Sequence, residues 1–207
     1  MKNFRLFALL AALSCALLLS SLPSARANNA DANSVSVGST VEDFKLPDAS
    51  GKQHTLKSLA GRNGTVLIFV SVQCPISNAY NARMERYAQE LKSKGVNLVG
   101  VNSNATESSD DVKRHAAEKG LTFTILKDKD NKLADRLGAL VTPEAYFLDA
   151  SNKLVYRGPI DNDRYNRLDG TPELRPHLLN AVAETLAGKP VTVSETRAFG
   201  CSIKRAS

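Results

Sequence analysis

Between Thr65 and Ser71 the chain runs through Val66, Leu67, Ile68, Phe69 and Val70, apolar at every position and rich in β-branched side chains. A strand with one wet face alternates apolar with polar residues; unbroken apolarity means that both faces are covered, so this segment reads as a central strand. Cys74 and Pro75 follow, and the apolar positions then change to helical spacing: Ile76, Tyr80, Met84, Tyr87 and Leu91, ending before Gly95. Proline suits the first helical turn because it has no N–H to leave unsatisfied there. The pattern predicts a buried strand that delivers Cys74 to the N-terminus of a helix of about five turns.

The rest of the chain continues the alternation. Leu46 to Lys52 has the turn chemistry of a hairpin-like start, Val96 to Val101 returns to strand composition, and Ser109-Asp110-Asp111 opens a helix that stops at Gly120. Phe123 to Leu126 reads as a strand and Leu133 to Leu137 as a short helix. Ala145 to Leu148 and Lys153 to Tyr156, joined by Asp149-Ala150-Ser151-Asn152, form an antiparallel hairpin. Thr171-Pro172 starts a last helix that presents Leu174, Leu178, Ala181, Val182 and Leu186 and ends at Gly188. A β-α-β half joined to a β-β-α half makes this an α/β chain with a thioredoxin fold: a central mixed sheet flanked by helices on both faces.

The first 27 residues are of another kind. Lys2 and Arg5 precede an apolar run from Leu6 to Leu19, and Ala25-Arg26-Ala27 closes the segment, the pattern of a secretory signal peptide cleaved after Ala27. The run is short of the roughly 18–20 residues that span a bilayer, so no stable membrane anchor is expected after cleavage. Cys15 lies within the run, in a poor context for lipid attachment. Residues 28–36 are small and polar and read as a flexible leader, and residues 37–204 as one domain with its C-terminal cysteine tail. The protein is expected in the periplasm or outside the cell.

Charge points to no nucleic acid. The whole chain has a formal charge of +6, and loss of Lys2, Arg5 and Arg26 leaves 24 basic against 21 acidic residues, a net +3. The two signs are interspersed and no aromatic-basic stripe occurs. Export also makes disulfides stable. Of three cysteines, Cys74 and Cys201 remain after cleavage, the minimum for a redox couple. His54, His115 and His177 are far apart and no CxxC is present, so neither a metal nor another cofactor is implied.

Cys74 at a helix N-terminus has unpaired amide groups and the helix dipole beside it, which stabilise the thiolate, the reactive form. Cys201, in Phe199-Gly200-Cys201-Ser202-Ile203-Lys204, can fold back to it on a tail that Gly200 lets turn sharply. The pair can serve exchange, or it can be a permanent staple across a loop of more than 100 residues, worth roughly 4–5 kcal/mol.

The run Phe69-Val70-Ser71-Val72-Gln73-Cys74-Pro75, the strand end Val99 to Asn104, Thr142-Pro143 with Asp149, and Tyr156-Arg157-Gly158 together resemble the AhpC/TSA redoxin superfamily, in its peroxiredoxin-like, thioredoxin-domain branch. The resemblance implies a redox role for Cys74 and a cis-proline at Pro143 that brings the Thr142 backbone beside the thiol, where it can pair with a substrate segment. It also marks departures. Ser77 stands where oxidoreductases of this fold usually have a second cysteine, and is expected to donate a hydrogen bond to the thiolate. Leu67 and Ser71 replace the peroxiredoxin proline and threonine, leaving Ser71 as a hydroxyl donor. The family's peroxide-polarising arginine is missing, with Arg157 a weak substitute.

The sequence therefore predicts a thiol-disulfide oxidoreductase acting on protein or small-molecule disulfides and thiols, with Cys74 as nucleophile and Cys201 as resolving thiol. Two alternatives stand beside it: a thiol peroxidase with an antioxidant role, whose partner is peroxide, and a non-catalytic binding module with a structural Cys74–Cys201 bond.

Overall fold

The computed structural model describes residues 34–165 and 167–206. The expected signal peptide and the start of the leader lie outside them. The last leader residues are docked rather than loose: the Val35 N–H donates to the Arg136 carbonyl at 2.9 Å, and the Val35 side chain packs on the core.

A short antiparallel hairpin, β1 (Lys45–Pro47) with β2 (Gln53–Thr55), leads into α1 (Leu56–Leu59). Then come β3 (Gly64–Phe69), α2 (Pro75–Ala79), α3 (Asn81–Ser93), β4 (Val96–Asn102), α4 (Ser109–Lys119), β5 (Ile125–Lys127) and α5 (Lys132–Leu137). β6 (Val141–Thr142), β7 (Glu144–Asp149), β8 (Leu154–Gly158), α6 (His177–Leu186) and β9 (Cys201–Ser202) complete the order. The central sheet has five strands in the order β5-β4-β3-β7-β8 and is mixed. β4 and β5 are parallel, β7 is antiparallel to β3 and β8, and the Val70 N–H donates to Val101 beside β3 at 2.9 Å.

Both faces of β3 are covered, as its composition requires. Val66 and Ile68 pack with Met84 and Leu91 of α3, Val112 of α4, and Leu178 and Val182 of α6. Leu67 and Phe69 pack on the opposite face with Leu56 and Leu59 of α1 and Leu133 and Leu137 of α5. Full burial of one such side chain contributes about 1.5–3 kcal/mol, so these two layers hold the strand end that carries Cys74.

Two helix expectations are corrected. The single helix after Cys74 is broken at Tyr80, which ends α2 and caps α3 with φ −90° and ψ −6°. The Tyr80 hydroxyl lies 2.5 Å from Asp161 Oδ1 and 2.7 Å from the Asp163 carbonyl, two acceptors on the loop after β8. Arg83, in the first turn of α3, bonds Asp161 at 2.6 Å and Asp163 at 2.8 Å, with all three side chains at most 2% exposed. The last helix begins at His177 rather than Thr171, because the preceding residues are held as turns: Leu174 N–H bonds the Thr171 carbonyl, and Arg175 N–H bonds Asn162 Oδ1. Among the described residues no helix is long and apolar enough to cross a membrane.

Candidate active site

Cys74 is the residue just before α2, and its backbone is extended (φ −81°, ψ 115°). Its sulfur therefore meets the first free amides of the helix, and the Ser77 N–H donates to Sγ at 3.3 Å. That is the anion-stabilising arrangement expected from the Cys-Pro-helix pattern. In the disulfide form the Ser77 contact to sulfur comes from its backbone amide, while its hydroxyl accepts the Ser71 N–H at 3.2 Å.

Cys74 and Cys201 are joined in a disulfide with Cα atoms 5.8 Å apart and a sequence separation of 127. Cys74 is 2% exposed. The Thr142–Pro143 peptide is cis, and the Thr142 carbonyl oxygen lies 3.2 Å from Cys74 Sγ, placed to accept from the thiol when the disulfide is open. Thr142 pairs with Cys201 and Val141 with Ser202, so β6 and β9 form a short antiparallel ribbon across the site. Thr142 Oγ1, although buried, has no hydrogen-bond partner among the described residues.

The Ser71 hydroxyl is engaged on both sides. It donates to Glu107 Oε1 at 2.5 Å and accepts the Cys74 N–H at 3.0 Å and the Gln73 N–H at 3.2 Å. Its single proton is thus directed away from the sulfur, and the peroxide-donor role expected for it has no free hydrogen. Glu107 itself was not legible as a site residue. It is 2% exposed and also accepts from the amides of Val72 at 3.0 Å and Gln73 at 3.1 Å and from the Asn102 side chain. A single acidic residue after a strand gives no sequence signal of burial; only the turn that folds it beneath the Cys74 loop reveals it.

From Asn102 the network continues to Lys127, whose Nζ donates to Asn102 Oδ1 at 2.6 Å and to the Asn104 carbonyl at 2.7 Å. Burial pulls the Lys127 ammonium below the usual amine range, against the opposing pull of Glu107 and Asp128. Asn104 Oδ1 in turn accepts the Lys204 N–H at 2.8 Å. One polar chain therefore links the Cys74 loop to the tail that carries Cys201.

Arg157, the weak substitute for the missing peroxide-binding cation, is paired with an acid. Its Nη2 bonds Glu195 at 2.7 Å, and at the start of β7 the structure places Glu144, whose Oε2 accepts the Leu140 and Val141 amides. Burial raises the Glu144 pKa, with those amides and the Tyr146 hydroxyl opposing. His115 is packed against Asn81, Nε2 to Nδ2 at 3.0 Å, and burial, reinforced by Lys119, lowers its pKa. Among the described residues no three His, Cys, Asp or Glu side chains converge as a metal site requires.

A profile of the AhpC/TSA family matches residues 37–157, more than half of the chain. The protein belongs to the AhpC/TSA family. It is an oxidoreductase of the redoxin type. Over 126 residues it is 29% identical to thiol-disulfide oxidoreductase ResA of Halalkalibacterium halodurans, covering 61% of this chain and 70% of that protein. Over 125 residues it is 26% identical to peroxiredoxin Bcp of Escherichia coli K12, covering 60% and 77%. Among solved structures, an uncharacterized conserved protein from Geobacillus kaustophilus superposes with a TM-score of 0.75 at 30% identity, covering 83% of this chain and 93% of that one. Hypothetical protein SMc02350 from Sinorhizobium meliloti 1021 gives 0.75 at 29% identity, covering 84% and 97%. Relatives within this AhpC/TSA set thus include both thiol-disulfide oxidoreductases and peroxiredoxins, and the site geometry bears on the choice between them.

Proposed function

We propose that the protein is an exported thiol-disulfide oxidoreductase whose redox couple is Cys74 and Cys201. The observation that carries the reading is the joining of these two cysteines at the α2 N-terminus, with the Ser77 amide on the Cys74 sulfur. The signal-peptide pattern of residues 1–27 supports export.

In the reduced protein the Cys74 thiolate attacks one sulfur of a partner disulfide. A new bond forms to Cys74, the partner's S–S bond breaks, and its other sulfur leaves as a thiolate. Cys201 then attacks Cys74, releasing the second partner thiolate and closing the Cys74–Cys201 bond, so two electrons pass to the partner. Run backwards, the same steps oxidise a dithiol. In that direction Cys201 leaves first, and Cys74 leaves from the mixed disulfide in the second step, where the Ser77 amide and the helix end stabilise its thiolate. Protein and small-molecule disulfides or thiols are the partners.

The residues around Cys74 favour this reaction over peroxide reduction. Cleaving an O–O bond needs donors directed at both oxygens as charge develops. Here the single Ser71 proton is given to Glu107, and Arg157 is paired through Nη2 with Glu195.

The test uses the Cys201→Ser protein, which lacks the resolving thiol. Mixed with a disulfide-bonded protein it accumulates a mixed disulfide at Cys74, identified by mass spectrometry, and Cys74→Ser forms none. Absence of that adduct together with rapid consumption of hydrogen peroxide by the unaltered protein would replace this reading with the peroxidase one.

A further inference from the structure

In the oxidised protein the backbone edge beside Cys74, expected to receive a substrate segment, is already taken. β9 lies antiparallel on β6, with Cys201 opposite Thr142 and Ser202 opposite Val141. The ribbon is extended by the Ile203 N–H on the Leu140 carbonyl at 3.0 Å, and the Ile203 side chain is 6% exposed within the core layer of α1 and α5. The Ala105 N–H holds the Lys204 carbonyl at 2.8 Å. The tail is thus bound as a strand in its own right, and the sulfur bond is one of several attachments.

The fit is closest at Gly200. A β-carbon there would lie 2.0 Å from the Thr142 carbonyl oxygen, 2.6 Å from the Thr142 carbonyl carbon and 3.2 Å from the Pro143 nitrogen. All three are main-chain atoms, so no side chain can swing aside to make room. The chain bends at Gly200, as expected, but without a positive φ, so the close approach to the Thr142 backbone is what excludes a side chain there.

We infer that Gly200–Ile203 is an internal copy of the substrate, and that a protein partner reaches Cys74 by laying an extended segment on the same β6 edge, with glycine immediately before its own half-cystine. The inference rests on the exchange reading above and adds the partner's local sequence to it. A thiol reductant first opens the Cys74–Cys201 bond, giving two thiols. The partner strand then displaces the tail, its cysteine sits opposite Thr142 as Cys201 does, and the Cys74 thiolate takes that sulfur while the partner's other sulfur leaves as thiolate. Main-chain pairing supplies affinity for any sequence, and the Thr142 carbonyl rejects a side chain before the cysteine.

The experiment uses the full chain with Cys201→Ser and two peptides, Phe-Gly-Cys-Ser-Ile and Phe-Ala-Cys-Ser-Ile, each as its disulfide with a chromophoric aromatic thiol. Release of the chromophore gives the rate, and mass spectrometry locates the adduct. The glycine peptide should react at Cys74 at least about tenfold faster, the order expected when a methyl group is forced against unyielding backbone. Adding Gly200→Ala sets the same clash in the tail and lifts it from the edge. The glycine peptide should then react about tenfold faster than with Cys201→Ser alone, and the alanine peptide should stay slow. Equal rates for the two peptides, or no acceleration by Gly200→Ala, would overturn the inference, while adducts at Cys74 would leave the exchange reading standing. No adduct at Cys74 from either peptide or from the small aromatic disulfide would overturn both. The peptide comparison needs only Cys201→Ser and so does not depend on how Gly200→Ala folds.

Discussion

Replacing Cys201 by serine frees the unfolded chain of a closed loop spanning 127 positions. In the chain-entropy description that closure removes about 16–17 cal/mol/K from the unfolded ensemble, or about 5 kcal/mol at 25 °C. The folded side changes little: Ile203 remains in the core, Lys204 and Ala206 keep their bonds to Asn104 and Asn131, and β9 keeps its backbone pairing. Cys201→Ser should therefore fold to the same structure with about 5 kcal/mol less stability, a fall in Tm of about 10–20 °C for a domain of this size. Urea unfolding of the oxidised protein and the variant measures this directly. The m-value should rise in the variant, since its unfolded chain exposes more surface. A difference below about 1 kcal/mol would mean that the folded state strains against the bond, and loss of cooperative unfolding would mean that the bond holds the domain together. The first result would refute the loop-closure reasoning, and the second would refute the exchange cycle, which requires a reduced form that stays folded.

Arg83→Met leaves Asp161 and Asp163 buried without their guanidinium and should cost about 3–5 kcal/mol in urea unfolding; adding Asp161→Asn and Asp163→Asn should recover much of the loss. Ser71→Ala strands the Cys74 amide and leaves Glu107 Oε1 with the Gln73 amide as its remaining donor, and should cost about 1–3 kcal/mol, slowing disulfide exchange at Cys74 without selectively abolishing peroxide turnover. Burial alone would raise the Asp163 pKa, but bonds from Arg83 and from the Arg167 and Leu168 amides outweigh it and hold it below its ordinary 3.8. Its stabilisation is therefore complete above pH 3.8 and lost as pH falls through the lowered value, so Asp163→Asn should flatten the acid limb of a stability–pH curve. Glu144 has the opposite sign: its raised pKa makes stability fall as pH rises from the ordinary 4.5 through the raised value, and Glu144→Gln should remove that slope.

The parts of the fold that were legible in the sequence are those written in local pattern. The unbroken apolar run of β3 announced two covered faces, and the Cys-Pro step announced a helix N-terminus at the sulfur. What was missed depends on residues far apart in the chain. The break at Tyr80 follows from a hydroxyl that reaches acceptors more than 80 positions away, and no helical spacing records it. Thr171-Pro172 carries a good helix-start signal, but Asn162 holds that segment as turns. At the site, counting cysteines left one pair to consider, whereas Glu107 looks like any solvated acid until the Cys74 loop is folded over it. Ser71 and Ser77 both bond Cys74, one at its amide and the other at its sulfur, yet the partners of their hydroxyls could not be read from position alone.

The exchange mechanism stands on a Cys74–Cys201 bond that opens and closes, and its equilibrium with glutathione tests that most directly. The protein would be poised across a series of reduced-to-oxidised glutathione ratios, quenched in acid, trapped with a thiol reagent and weighed by mass spectrometry. A midpoint above about −300 mV is expected, within reach of thiol partners. A bond that stays closed at that potential and below would make Cys74–Cys201 a structural staple and contradict the proposed function.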